Sequence, residues 1–322
     1  MSRLVVAMFF AAACSSDSRA PDPPPIVNKV ITDADRRDAL GDVTALAPEL
    51  QRTFDLAGFE PIRTPHANDW LDVAFEPGQT FAQHRAGNYN VADARRRVIC
   101  LVPLGELAQD MPRLGDLATI ANAFYGLDVH ILPAVPLDKV EARRTSTIVA
   151  PRGPVVQLYV PDLLRWLGTQ LPADAHALLA ITMMDLAPEK SSFVFGMASF
   201  RERVAVQSFA RIDPAFYDVA RKPDYRRLVL DRAAWTMIHE LGHTFGLQHR
   251  VYFTCVFAGT QSHVEMDRHP LHASDLHSQA PCSARLRSRR TRRRAGEGLR
   301  RARSRRRSRV VESALDVDPD AR

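Results

Sequence analysis

The sequence predicts a mixed α/β fold: one mixed β-sheet with helices on its faces, closed by a long helix that carries histidines. Three observations lead there. Between residues 96 and 186 short apolar runs, sized for buried strands, alternate with amphipathic stretches. Two strand-like runs joined by charged residues follow at 193–212, and the last apolar stretch is long and helical in period. A chain of 322 residues with 46% hydrophobic content can bury a sizeable core.

The elements follow in order. From Asp33 to about Phe54 ("ADRRDALGDVTALAPELQRTF") apolar residues recur at helical spacing, with Pro48 as a kink or boundary. Residues 55–95 carry no clear period. "RRVICLVPLG" reads as a buried strand and makes Cys100 an inert core thiol. A helix is expected over "GELAQDMPRLGDLATIANAFYG", a strand over "LDVHILPAVPL", and a strand end running into a helix at "VVQLYVPDLLRWLGTQLP". "HALLAITMMDL" is a strongly apolar strand. "FVFGMASF" and "RVAVQSFARI" are two strands joined by a charged turn at Arg201 and Glu202, and a helix then runs from about Asp224 into "HELGHTFGLQHR". No internal repeat interrupts this order.

Charge is unevenly spread. Residues 285–322 hold fifteen arginines against five acids, a balance of +10 that leaves residues 1–284 at −4 out of a total of +6. The body is therefore mildly acidic, and nothing in it reads as a nucleic-acid surface. The tail "SARLRSRRTRRRAGEGLRRARSRRRSR" lacks apolar periodicity and has the charge density of a disordered segment. One reading makes it a contact for nucleic acid or anionic lipid. The other is translation from a shifted frame of a GC-rich gene, where arginine runs arise readily.

At the other end, Arg3, the apolar run Leu4–Ala13 and Cys14 after three alanines have the layout of a secretory signal with a lipobox-like end. The expectation is an exported protein, a bacterial lipoprotein anchored through Cys14 on the periplasmic side of a membrane or at the cell surface. The expected organisation is a signal at 1–14, a Pro/Ser-rich tether at 15–32, an N-terminal helical or irregular region at 33–95, a catalytic domain at 96–273 and the arginine-rich tail at 274–322. Beyond Cys14 the cysteines are Cys100, Cys255 and Cys282, too few for a disulfide framework.

The histidines carry the chemistry. His239 and His243 are four residues apart, so on a helix both rings lie on one face, one turn apart, and can hold one Zn2+. Glu240 sits beside them without ligating, placed to act as general base toward a zinc-activated water. Gly246 lets the chain leave the helix sharply, and His249 then returns as third ligand. Three protein ligands leave a fourth position open, the arrangement of catalytic zinc.

This HExxHxxGxxH pattern, together with "ITMMDLAPEKSSFVFGMASF", "VQSFAR" and "FYGLDVHILPAVPL", resembles the archaemetzincins, a branch of the metzincin metalloproteases. "DWLDVAFEPGQTF" is more weakly similar to the N-terminal region of longer members, so the resemblance spans roughly 65–271. It implies a metzincin-like fold, hydrolysis of peptide bonds in peptide or protein substrates, and a cleft beside the hairpin of residues 193–211.

Departures from the family pattern follow the third histidine. Arg250 stands where the family has a cysteine. Cys255 matches its next cysteine, and Phe257 stands at the methionine of the Met-turn. Ser274 and His277 occupy the positions of a Cys-x-x-Cys pair. The family's second, structural zinc is therefore expected to be absent or impaired, with Cys255 and His277 as remnants and Cys282, His269 or His272 as replacements. Phe257 is expected to form an apolar floor under the catalytic zinc, and the spacing of Met266 gives it no such role. The competing readings are a zinc-binding pseudo-peptidase without turnover and a tethered protein that meets anionic partners through its tail.

Overall fold

The computed structural model describes residues 28, 30–44, 48–51, 59–62, 64–87, 89–149 and 151–272. The expected signal, most of the tether and the arginine-rich tail, with Cys14, Ser274, His277 and Cys282, lie outside the described residues.

The chain opens with short helices: α1 (Asp33–Leu40), α2 (Pro48–Gln51), α3 (Trp70–Val73) and α4 (Phe81–Ala86). Thr32 starts α1 with a capping box to Asp35, and Gly41 ends it at φ 68°. The helical stretch expected from Asp33, with Pro48 as a kink or boundary, thus breaks already at Gly41, because glycine takes that backbone angle without strain. Pro48 begins the next piece, and Phe54 lies outside the described residues. Thr80 and Gln83 form the same box for α4.

The central sheet has the order β2-β1-β5-β8-β7. Its strands are β1 (Val98–Leu104), β2 (Asp128–Ile131), β5 (Ala175–Thr182), β7 (Gly196–Ser199) and β8 (Val204–Ser208). The first four positions in that order are parallel, and β7 closes the edge antiparallel to β8. A smaller sheet joins β3 (Arg144–Val149), β4 (Gly153–Tyr159) and β6 (Asp185–Ala187) in the order β3-β4-β6.

Helices cover both faces of the central sheet, which is why β1, β5 and β8 are buried at every residue rather than at alternate ones. On one face Ile99, Leu101, Leu179, Ile181 and Ala205 pack under α5 (Leu114–Tyr125) and α7 (Tyr225–Thr244). On the other, Cys100, Val102, Leu178, Ala180 and Val206 pack under α6 (Val160–Gln170). Cys100 is a free, buried thiol that burial pushes up to about 11. A last short helix, α8 (His263–Met266), leans on α7 through Met266 and Thr236.

Two elements are shorter than the sequence suggests. α5 starts at Leu114, not near Gly105, since Pro112 confines the residue before it to extended backbone. β2 stops at Ile131, short of Pro133 and Pro136. Among the described residues no helix is long and apolar enough to cross a membrane.

Candidate metal centre

α7 delivers the first two histidines from the middle of the core. Nearly every residue from Ala233 to Gly242 is buried, and Tyr125 Oη donates to the Ile238 carbonyl at 2.6 Å, tying α5 to the turn before His239. The helix ends at Thr244, with Phe245 as its C-cap, in a Schellman motif. The Leu247 N–H reaches the Gly242 carbonyl at 3.2 Å and the Gly246 N–H reaches that of His243 at 2.9 Å, with Gly246 at φ 81°. A side chain at 246 would overlap the ring of Tyr89, so glycine is required there twice over. The turn sends the chain back across the helix end and brings His249 beside the other two rings.

The three rings converge. One ligating nitrogen from each of His239, His243 and His249 lies within 4.8 Å of the others, and the Nε2 atoms of His239 and His243 are 3.1 Å apart. Each Nδ1 faces an acceptor: Val256 O at 2.7 Å for His239, Leu247 O at 2.6 Å for His243, and Glu76 Oε1 at 2.7 Å for His249. Carbonyl and carboxylate oxygens only accept, so all three Nδ1 atoms carry the proton and all three Nε2 lone pairs are left for a ligand. Burial lowers His239 well below the ordinary imidazole value and takes His243 to about 4, so both rings are neutral at pH 7. Neutral, tautomer-fixed rings sharing one point are what a divalent cation needs, and the donor set fits zinc.

Glu240 is buried one residue after His239, and burial pushes its carboxyl up to about 8. It lies against Gly196 of β7, where an added Cβ would come within 2.7 Å of Cγ and Oε1 of Glu240. The glycine in "FVFGMASF" thus makes room for the carboxyl group. Glu240 and the three histidines line the floor of a cleft of about 1150 Å³. One wall is the hairpin side, Phe193 to Ala198, as expected; the other is the N-terminal segment, through Trp70, Val73, Glu76 and Tyr89.

Phe257 is 1% exposed and its ring centroid is 6.4 Å from that of His239, with Phe124 edge-on at 6.2 Å. It also presses on α7: a Cβ on Gly242 would overlap the Phe257 ring. Cys255 is fully buried and free. His269 lies near Trp235 and His272 edge-on to Phe59. Among the described residues the histidine triad is the one group of three or more ligating side chains gathered closely enough for an ion.

The sequence did not expose what holds the third histidine. Glu76, Trp70 and Gln79 all belong to "DWLDVAFEPGQTF", which has no period to mark them. Trp70 lies edge-on to His249 at 5.4 Å and donates from Nε1 to Glu76 at 2.7 Å. Burial would raise the Glu76 carboxyl, but hydrogen bonds from His249 and Trp70 hold it below the usual carboxylate range. Arg250, 1% exposed, donates to the Gln79 carbonyl and lies over the Tyr252 ring; burial lowers it to about 10.

Comparison with known proteins places the chain in a family. The profile of Peptidase family M54 matches residues 131–275. Archaemetzincin-2 of Macaca fascicularis is 30% identical over 271 residues, covering 75% of this chain and 74% of its own. The archaemetzincin of Pyrococcus abyssi is 30% identical over 173 residues, 53% of this chain and 86% of its own. The solved archaemetzincin of Methanopyrus kandleri is 26% identical, with a TM-score of 0.43 over 58% of this chain and 95% of that one.

Proposed function

The chain belongs to the archaemetzincin family of zinc-dependent metallopeptidases, and from that premise we propose that it cleaves peptide bonds at the His239–His243–His249 centre with Glu240 as general base. The observation that carries this reading is the convergence of three tautomer-fixed rings beside a buried carboxyl group on the floor of one cleft.

The histidines would hold one catalytic zinc through Nε2. When bound, the metal supplies Lewis acidity toward the scissile carbonyl and toward water. The protein's own groups do the rest. Burial alone raises the Glu240 carboxyl, and the positive charge of the metal, when bound, would draw it back down to the ionised form. Glu240 then accepts a proton from the attacking water and returns it to the leaving amine nitrogen. β7 pairs with β8 on one side and borders the cleft with Gly196, Met197 and Ala198, so an extended substrate backbone can add to its other side as a further strand. Phe193 and Trp70, on opposite walls, give apolar surface to substrate side chains.

The test is hydrolysis of a peptide library by wild type and Glu240→Ala. Loss of a general base costs about 10²–10⁴ in rate, while the three ring nitrogens remain, so the variant keeps its zinc. Hydrolysis at the wild-type rate by Glu240→Ala sinks the mechanism.

A further inference from the structure

We propose that Glu76 is a positioning residue of the metal centre: its carboxylate, supplied by the N-terminal segment, fixes the tautomer and orientation of His249. This rests on the reading of the histidine triad as a zinc site; Glu76 itself lies outside the residues 131–275 that the family profile matches.

The three rings are not held alike. His239 and His243 are fixed by backbone carbonyls, of Val256 and Leu247, within 17 residues of themselves. His249 sits on the loop beyond α7, and the acceptor for its Nδ1 is a side chain 173 residues away. A carboxylate there selects the Nδ1–H tautomer, strengthens the Nε2 donor and stops the ring from turning.

The carboxylate is itself fixed. Trp70 donates to the same Oε1, and the Glu76 N–H donates to Asn28 Oδ1 at 3.0 Å. Asn28 Nδ2 in turn donates to the Leu71 and Ala74 carbonyls at 2.6 and 2.8 Å, closing the segment on itself. Trp70 rests on Gly259, where any side chain would overlap the indole, and the Trp70 backbone N–H donates to both Glu265 carboxylate oxygens at 3.0 Å. Glu76 is thus held by Trp70 and Asn28, and Trp70 in turn by Gly259 and Glu265 of the segment that follows His249. With side-chain exposures of 17% for Glu76 and 24% for His249, the pair is shielded enough for its geometry to matter.

The experiment is zinc affinity by chelator competition on the full chain, for wild type, Glu76→Ala and Glu76→Gln, with the unfolding temperature of each metal-free protein measured alongside. Glu76→Ala should bind zinc about 10–100-fold more weakly. Glu76→Gln, which keeps an oxygen acceptor of the same shape, should recover most of the loss at a similar metal-free unfolding temperature. Glu76→Ala binding as tightly as wild type overturns the proposal, and so does Glu76→Gln binding as weakly as Glu76→Ala. Wild type that binds no zinc overturns the metal reading with it, which separates the two failures. Nitrogen NMR of the histidine rings in wild type needs no variant: His249 should carry its proton on Nδ1, and a proton on Nε2 in the metal-free protein contradicts the assignment.

Discussion

The helix α7 and the loop that follows it contribute to one site by different means. His239 and His243 are placed by the geometry of a helix sunk in the core, and their spacing alone brings the rings together. His249 is placed by a chain reversal and then by a web of contacts to residues far away. Beyond Glu76 and Trp70, the Tyr252 carbonyl accepts from Arg36 Nε at 3.1 Å, the Thr254 N–H reaches Glu60 O at 2.8 Å, and Pro61 bridges Phe253. The lesson is that a metal centre can be half local and half tertiary. The local half survives whatever the helix survives; the tertiary half depends on residues that no motif includes.

Substitutions can break that contrast in order of expected effect. The largest is Arg250→Ala, which removes a buried side chain and leaves the Gln79 carbonyl without its donor. A cost of roughly 2–5 kcal/mol is expected. Hydrogen exchange should rise in the 246–258 loop and around residues 60–80, while the amides of β1 and β5 stay protected. Equal loss of protection in the central sheet would show that the loop is no separate unit. Next comes Gly242→Ala, aimed at the helix-held half. The new methyl group collides with the Phe257 ring, an overpacking worth about 1–3 kcal/mol, read as a lower unfolding temperature for the whole protein. An unchanged temperature would mean that Phe257 is not pressed against α7. The smallest is Phe257→Met. An apolar residue of similar bulk keeps the floor beneath His239, so a change under about 1.5 kcal/mol is expected by denaturant unfolding, with peptidase activity retained. Loss of zinc in that variant would give Phe257 a larger part than packing.

The same contrast explains what the sequence made legible. β1 and β5 stood out because sheets covered on both faces need continuous apolar runs. The hairpin of β7 and β8 was marked by Arg201 and Glu202 between two strand-like runs, and α7 by its length and histidine spacing. β3 was missed: "RTSTIV" is polar and half exposed, and it is a strand only because β4 lies beside it. α1 is shorter than its sequence suggests, because helical spacing continues past Gly41 although the helical backbone does not. Glu76 was invisible for a deeper reason. Its role exists only across 173 residues of chain, and periodicity carries no information at that range. Arg250 looked like a lost cysteine; in the fold it is a buried clamp onto the N-terminal segment.

The claim beneath all of this is that three imidazole Nε2 atoms meet at one divalent cation. Elemental analysis of the purified protein, beside His243→Ala, tests it most directly. About one zinc per wild-type chain, and loss of that zinc in His243→Ala, is the expected result. Wild type that purifies without zinc and takes none up when it is offered would contradict the account.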